Sequence, residues 1–324
     1  MADIFFSEEY GKLWERIEHG SCEIFRFSYD GNTVQNMFIR REIPWEIDGE
    51  RYFDVITPYG YGGPILVAGE CSKPLIMKYY AAWSEYCRRN NIIAEFVRYH
   101  LFDNTAFRAA FPGEILHVSD NVVRSLDVPM DEMKMQFAHK VRKNVKRATE
   151  CGLAVISEEN GAHLSDFLEI YNHTMERNNA RAYYYFDREF FEGIINNLPG
   201  HFRFFHVMHE KKIISTELVL CSEKYVYSFL GGTLEEFYPM RPNELLKCEI
   251  IKWSQETEHS AFILGGGYGG NDGIYRYKKS FAPGSDVPFY VGRFVHNRKI
   301  YDKLVDMRRQ QGELNSNFFP LYRA

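Results

Sequence analysis

A lysine that follows a glycine-rich loop and is flanked by aromatic rings can hold charge against a developing anion. Here that arrangement is Gly273-Ile274-Tyr275-Arg276-Tyr277-Lys278-Lys279-Ser280-Phe281, after Gly265-Gly266-Gly267-Tyr268-Gly269-Gly270. In a cleft, Lys278 holds an oxyanion or a phosphate; on an open surface it is a solvated cation. The glycines match G-x-G-x-x-G after a short apolar strand, the form of a dinucleotide turn. The context argues against that use. GIYRYKKSF lacks a helical apolar stripe, and Asp286 precedes a strand instead of ending one. A substrate-cradling loop (with Gly266 at its start) or a sharp structural turn fits the same glycines.

A second concentration of charge lies upstream. Lys134, Lys140, Arg142, Lys143, Lys146 and Arg147 follow one another with no acidic residue between them. Arg142 and Lys146 share a helix face, as do Lys143 and Arg147. The run is either a solvated face or a local field suited to phosphate groups. Arg177 and Arg181 precede Tyr183-Tyr184-Tyr185-Phe186, which is core packing or the wall of a pocket. His206 and His209 fall three apart on an expected strand, so they point to opposite faces and no metal site is expected. The cysteines Cys22, Cys71, Cys87, Cys151, Cys221 and Cys248 show no zinc spacing and read as reduced, mostly buried thiols. G-x-S-x-G, H-E-x-x-H and a Walker loop are all missing. Direct transfer by positioning and charge stabilisation is therefore favoured over a covalent nucleophile.

These groups need elements to hold them. The chain has 324 residues, is 45% hydrophobic and 26% charged, and carries a net charge of −5. That composition is globular and fits roughly two domains of about 150 residues. A globally basic nucleic-acid coat is excluded, and the 26 Phe and 22 Tyr need a place. The N-terminus lacks a signal-peptide core, and no window is apolar enough for a membrane span, so a cytoplasmic protein is expected. Helices are expected at 10–19, 74–90, 131–149, 163–178, 187–197, 243–257 and 297–311. Strands are expected at 21–29, 34–42, 52–57, 92–100, 153–157, 202–209, 213–222, 225–231, 261–264 and 287–295, with a hairpin from 114–118 and 121–127. Thr57-Pro58-Tyr59-Gly60-Tyr61-Gly62-Gly63-Pro64 is neither helix nor regular strand. The order of elements gives an α/β (α+β) class with mainly antiparallel sheets flanked by helices.

Several segments together resemble the Fem family of non-ribosomal peptidyltransferases, built on tandem GNAT-like domains. They are Arg142-x-x-Val145-Lys146-Arg147-Ala148 running to Cys151-Gly152-Leu153, and Ile170-Tyr171-x-x-Thr174-Met175-x-Arg177. Gly231-Gly232 before Pro242-Asn243-Glu244-Leu245-Leu246 is another. The last is Leu264-Gly265-Gly266 followed by Gly273-Ile274-x-x-Tyr277-Lys278-x-x-Phe281, similar to the family's Gly-Leu-x-x-Phe-Lys-x-x-Phe. The 57–64 loop also recurs in GNAT-like relatives. The resemblance implies attack of an amine on an activated acyl group, with aminoacyl-tRNA as donor and a peptidoglycan precursor as acceptor. It implies that Lys278 stabilises the oxyanion beside the Tyr277 ring. Tyr277 stands where the family has Phe. The long paired helices that some relatives use as a tRNA-contacting arm are missing. So is the coenzyme A loop of ordinary GNAT enzymes, although Arg241 at a helix start could bind an anion.

The resulting expectation is an N-acyltransferase with tandem GNAT-like domains at 1–130 and 131–295, the tail 296–324 packing back on the first. Lys278 and Tyr277 are the expected catalytic residues. Tyr59, Tyr61, Arg142, Lys146, Arg177, Tyr183, Tyr227, Arg241, Asn243, Gly266, Asp272 and Tyr275 are expected to bind substrate. Asp272, Tyr227 and Tyr238 are candidates for the general base. No metal and no tightly bound cofactor is expected; the donor is aminoacyl-tRNA or, alternatively, acyl-CoA. An RNA-binding module using the 134–147 helix is the non-enzymatic alternative.

Overall fold

The computed structural model describes residues 3–267 and 272–324. In chain order its elements begin with α1 (Glu8–Leu13), α2 (Glu15–Glu18), β1 (Gly20–Tyr29), β2 (Asn32–Glu42), β3 (Phe53–Ile56), β4 (Ile65–Ala68), α3 (Lys73–Arg89), β5 (Ile92–Arg98), α4 (Thr105–Ala109) and β6 (Glu114–Ser125). They continue with α5 (Met130–Gln136), α6 (His139–Glu150), β7 (Ala154–Glu158), α7 (Leu164–Arg177), α8 (Arg188–Asn197), β8 (Phe202–His209), β9 (Lys212–Cys221) and β10 (Tyr225–Thr233). The last are α9 (Pro242–Glu256), β11 (Ala261–Gly265), α10 (Gly273–Lys279), β12 (Asp286–Val295) and α11 (Arg298–Arg309). The chain divides into two compact units, one of residues 5–118 with 288–324, the other of residues up to Ile4 with 119–287. The divisions fall inside β6 and β12, ahead of the expected limits at 130 and 295.

In the first unit β1 and β2 form an antiparallel hairpin, Gly20 facing Arg41 and Tyr29 facing Asn32. Asp30 and Gly31 at its tip both have positive φ, the mirror-image turn that matches strand twist. β3 joins β2 antiparallel and β5 parallel, and β12 runs antiparallel to β5. The amphipathic α3 buries Leu75, Tyr79, Trp83 and Cys87 against Val34, Phe38 and Val55. α11 and the tail bury Ile300, Leu304 and Tyr322 with Ile43, Ile47 and Ile93. Asp54 is fully buried and accepts from Arg41 Nε (2.8 Å), Tyr322 Oη (3.0 Å) and Arg323 Nε (2.5 Å). A buried carboxylate needs such partners, and these tie the C-terminal residues to β2 and β3.

In the second unit the strand order is β6-β11-β10-β9-β8-β7. Neighbours are antiparallel except β10 and β11, which are parallel from Tyr225–Ala261 to Tyr227–Ile263. Residues 213–221 of β9 are all buried, so both faces are covered. On one face Phe205, Val207 and Val219 pack with Leu245 and Ile250 of α9 and Val141 of α6. On the other, Phe204 meets Phe167 of α7 edge-on at 5.1 Å. β10 runs so close to α7 that a Cβ on Gly232 would lie 2.3 Å from Thr174 Oγ1 and 2.8 Å from the Ile170 carbonyl oxygen.

Four local expectations change. The single helix at 131–149 is two, because Phe137 (ψ 146°) and Ala138 (ψ 141°) leave the helical region and α6 starts at His139. The helix at 10–19 is likewise split into α1 and α2. The hairpin at 114–127 is one continuous strand, β6. GIYRYKK is helical: Asp272 caps α10 by accepting from the Tyr275 amide at 2.7 Å. Tyr268, Gly269 and Gly270 of the glycine run lie outside the described residues.

Candidate active site

β10 and β11 pair only as far as Tyr227 and Ile263, but β10 runs on to Thr233. A register irregularity between Ser228 and Leu230 accompanies the parting. Polar side chains gather in this fork. β9 contributes Ser215 and Glu217, both buried. α9 contributes Asn243 and Lys247, and α10 contributes Tyr277 and Lys278.

Lys278 Nζ donates to the Gly266 carbonyl at 2.7 Å. Gly265, at φ +81°, makes room for it: a Cβ there would lie 3.3 Å from Nζ. Burial, then the Lys247 ammonium, push Lys278 down to about 8, against the pull of Glu217 and Asp272. The Tyr277 hydroxyl is buried and has no hydrogen-bond partner. Burial, then Glu244 and Glu217, push its phenol well up, so it stays a neutral donor. Its ring packs edge-on to Phe281 at 5.3 Å. Lys247 Nζ donates to Glu217 Oε1 and to Ser228 Oγ (2.7 Å), and Ser228 donates to the same carboxylate oxygen at 2.7 Å.

The other expected residues divide by location. Gly266 and Asp272 lie beside Lys278, whereas the Tyr275 hydroxyl donates to Asp286 at 2.5 Å. Past the end of β10, Arg177 donates to the Thr233 carbonyl at 3.0 Å and lies 5.2 Å from the Tyr238 ring. Arg241 is exposed, in the left-handed region (φ 66°), just before Pro242 opens α9. Asn243 Oδ1 accepts from Thr233 and from Ser215 (3.2 Å). Tyr227 is buried and donates to Asp3 at 2.7 Å. Tyr183 packs edge-on against Tyr184 and Phe186. In the basic helix, Arg142 donates to the carbonyls of Met135 (2.9 Å) and Phe137 (2.6 Å), and Lys146 is exposed and 3.7 Å from Glu150. Tyr59 and Tyr61 belong to the first unit. The Tyr59 carbonyl accepts from Tyr10 at 2.7 Å, and Tyr61 is buried among Phe5, His100 and Phe289.

Of the candidate bases, Asp272 accepts the amide of its own helix and Tyr227 is bonded to Asp3. Burial pushes the Tyr238 phenol up, Arg177 acting against it. His206 is bonded to Thr216 and Glu158, while His209 packs on Phe237. Among the described residues no group of His, Cys, Asp and Glu could hold a metal. A pocket of about 450 Å³ lies at the start of β10 and the end of α9, lined by Arg203, Trp253 and His259, and it includes none of the fork residues.

Sequence reasoning passed over Glu217, Ser228 and Lys247. They form no motif. For Glu217 and Lys247 the one signal is a charged residue inside an apolar run, IISTELVL and ELLKCEII; Ser228 gives none.

Residues 135–279 match the acetyltransferase (GNAT) domain family. No curated protein matches the chain. Among solved structures, FemX is similar at a TM-score of 0.71 and 14% identity, over 93% of this chain and 94% of that one. L-PGS from Bacillus licheniformis is similar at 0.57 and 13%, over 95% and 98%. The C-terminal domain of a putative lysylphosphatidylglycerol synthetase from Agrobacterium fabrum is similar at 0.56 and 15%, over 92% and 89%. The chain thus has the fold of FemX, and its residues 135–279 match an acetyltransferase (GNAT) domain.

Proposed function

We propose that this acyltransferase moves an aminoacyl group from an activated ester, of the aminoacyl-tRNA type, to an amine on a cell-wall precursor or other small acceptor. The observation that carries the reading is Lys278, a cation held at the end of β11 with a carbonyl as its hydrogen-bond partner. The acceptor nitrogen bonds to the acyl carbon, negative charge moves to the carbonyl oxygen, and the ester C–O bond then breaks to release the hydroxyl-bearing donor. The amine proton passes to substrate or water. Lys278 stabilises the oxygen anion more than the ground-state carbonyl, which is what accelerates the step. Tyr277 offers a neutral hydroxyl beside it. Arg177, Arg241 and the exposed face of α6 supply cations for the donor's phosphates.

The likeness to the domain of a putative lysylphosphatidylglycerol synthetase supports an aminoacyl donor. An aminoacyl-tRNA donor places the reaction in the cytoplasm, and no helix among the described residues is long and apolar enough to cross a membrane. The family match to an acetyltransferase domain favours the second reading, an acyl-CoA donor.

Lys278→Ala tests the proposal. Loss of one oxyanion-stabilising donor lowers kcat by about 10²–10³, roughly 3–4 kcal/mol. A variant with native circular dichroism and full transfer rate would remove Lys278 from the chemistry.

A further inference from the structure

The buried carboxylate in the fork is already engaged, and not by Lys278. Ser215 and Glu217, two apart on β9, point to the same face. Asn243 and Lys247, one turn apart on α9, meet them. The Ser215 end is a neutral network with Thr233 and Asn243. The Glu217 end is an ion pair whose side chains are 7% and 9% exposed, bridged by Ser228. Lys278 makes no ion pair among the described residues.

We propose that Lys247, clamped by Glu217 and Ser228, is a positioning residue for Lys278: it occupies the buried carboxylate, so that Lys278 meets its counter-charge only in the anion that forms on the substrate. This rests on the role given to Lys278 above. A lysine already paired in the ground state gains little when an oxyanion appears. One without a counter-ion gains most, which is the condition for rate enhancement. The charged and titratable groups around Lys278 are Lys247 and Glu244 from α9, Glu217 from β9, Asp272 before α10, Tyr277 beside it and Asp120 from β6, next to Gly266. Lys247 outweighs Glu217 in its effect on the Lys278 proton, as a clamped neighbouring ammonium should.

The test needs no acyl donor. Lys278 is reductively methylated in the full-length protein across a pH series, and the labelled peptide is quantified by mass spectrometry; the reagent reads the neutral amine. The wild-type midpoint is expected near 8. Lys247→Met frees Glu217 to pair with Lys278, and the midpoint should rise by about one pH unit or more. Glu217→Gln should lower it. Because Lys247→Met strands a buried carboxylate and threatens folding, the neutral pair Glu217→Gln with Lys247→Met is the companion, with a smaller rise expected. An unchanged midpoint in the neutral pair, or a fall in Lys247→Met, overturns the proposal. Full transfer by Lys278→Ala would sink the proposed function and with it the positioning role, whereas a failed labelling series with Lys278→Ala inactive would sink the positioning role alone.

Discussion

The energetics of the fork centre on Lys278. Its ammonium is disfavoured by the fold, so its folded pKa, about 8, lies below that of the unfolded chain near 10.5. The sign follows by linkage. Below pH 8 both states carry the proton and the full cost of confining the charge is present. Between pH 8 and 10.5 the unfolded chain binds more protons, so the stability from this group rises with pH. Replacing Lys278 by Met should therefore stabilise the protein by about 1–2 kcal/mol below pH 8, allowing for its partial exposure, and the gain should fade toward pH 10.5. Thermal melts of both proteins from pH 7 to pH 10 check this; a difference independent of pH would contradict it. Transfer activity should run the opposite way, falling as pH rises through 8 and the cation is lost. If Lys278 holds the oxyanion, stability is given up there for function.

At the scale of elements, side chains from distant segments decide what local pattern cannot. Asp54 joins β3 to β2 and to the tail through Arg41, Tyr322 and Arg323. Asp54→Asn should leave Arg323 without a carboxylate and Arg41 with Glu18 alone, and lower stability by about 3 kcal/mol or more. Urea denaturation reads this, and an unchanged midpoint would show that the network adds nothing. The same contrast explains what was legible. The strands β8, β9 and β10 and the helices α7, α8 and α9 are visible because their apolar periods are long. The break before α6 is not, since Phe137 and Val141 fall on one buried face whether or not the helix is continuous. What makes the break is Phe137 packing on Phe281 at 5.7 Å and Arg142 taking the carbonyls of Met135 and Phe137. α10 is too short to show a stripe and depends on its Asp272 cap. Lys278 was readable from its motif; its neighbours Glu217 and Lys247 were not, because only the packing of α9 on β9 brings them together.

For the molecule as a whole, the net charge of −5 is an average over unlike regions. Lys140, Lys143, Lys146 and Arg147 are all exposed on α6. If α6 holds the donor's phosphates, reversing Lys140, Lys143 and Lys146 to Glu should weaken tRNA binding and cut the slope of log affinity against log salt by about 2–3. Stabilisation of the protein by micromolar coenzyme A, with tRNA binding unaffected by the reversal, would move the donor to acyl-CoA. The two α/β halves were foreseeable from element order. Their interleaving was not, because the chain passes between units inside β6 and β12, without a polar linker to mark the crossings. That interleaving sets an order of completion during synthesis. The second unit has all its strands once residue 287 has emerged from the ribosome. The first unit lacks the body of β12, α11 and the Arg323 partner of Asp54 until residue 323 is made. The unit that holds residues 5–118 is completed after the other, and until then its β5 edge and the apolar face meant for α11 stand open to chaperones.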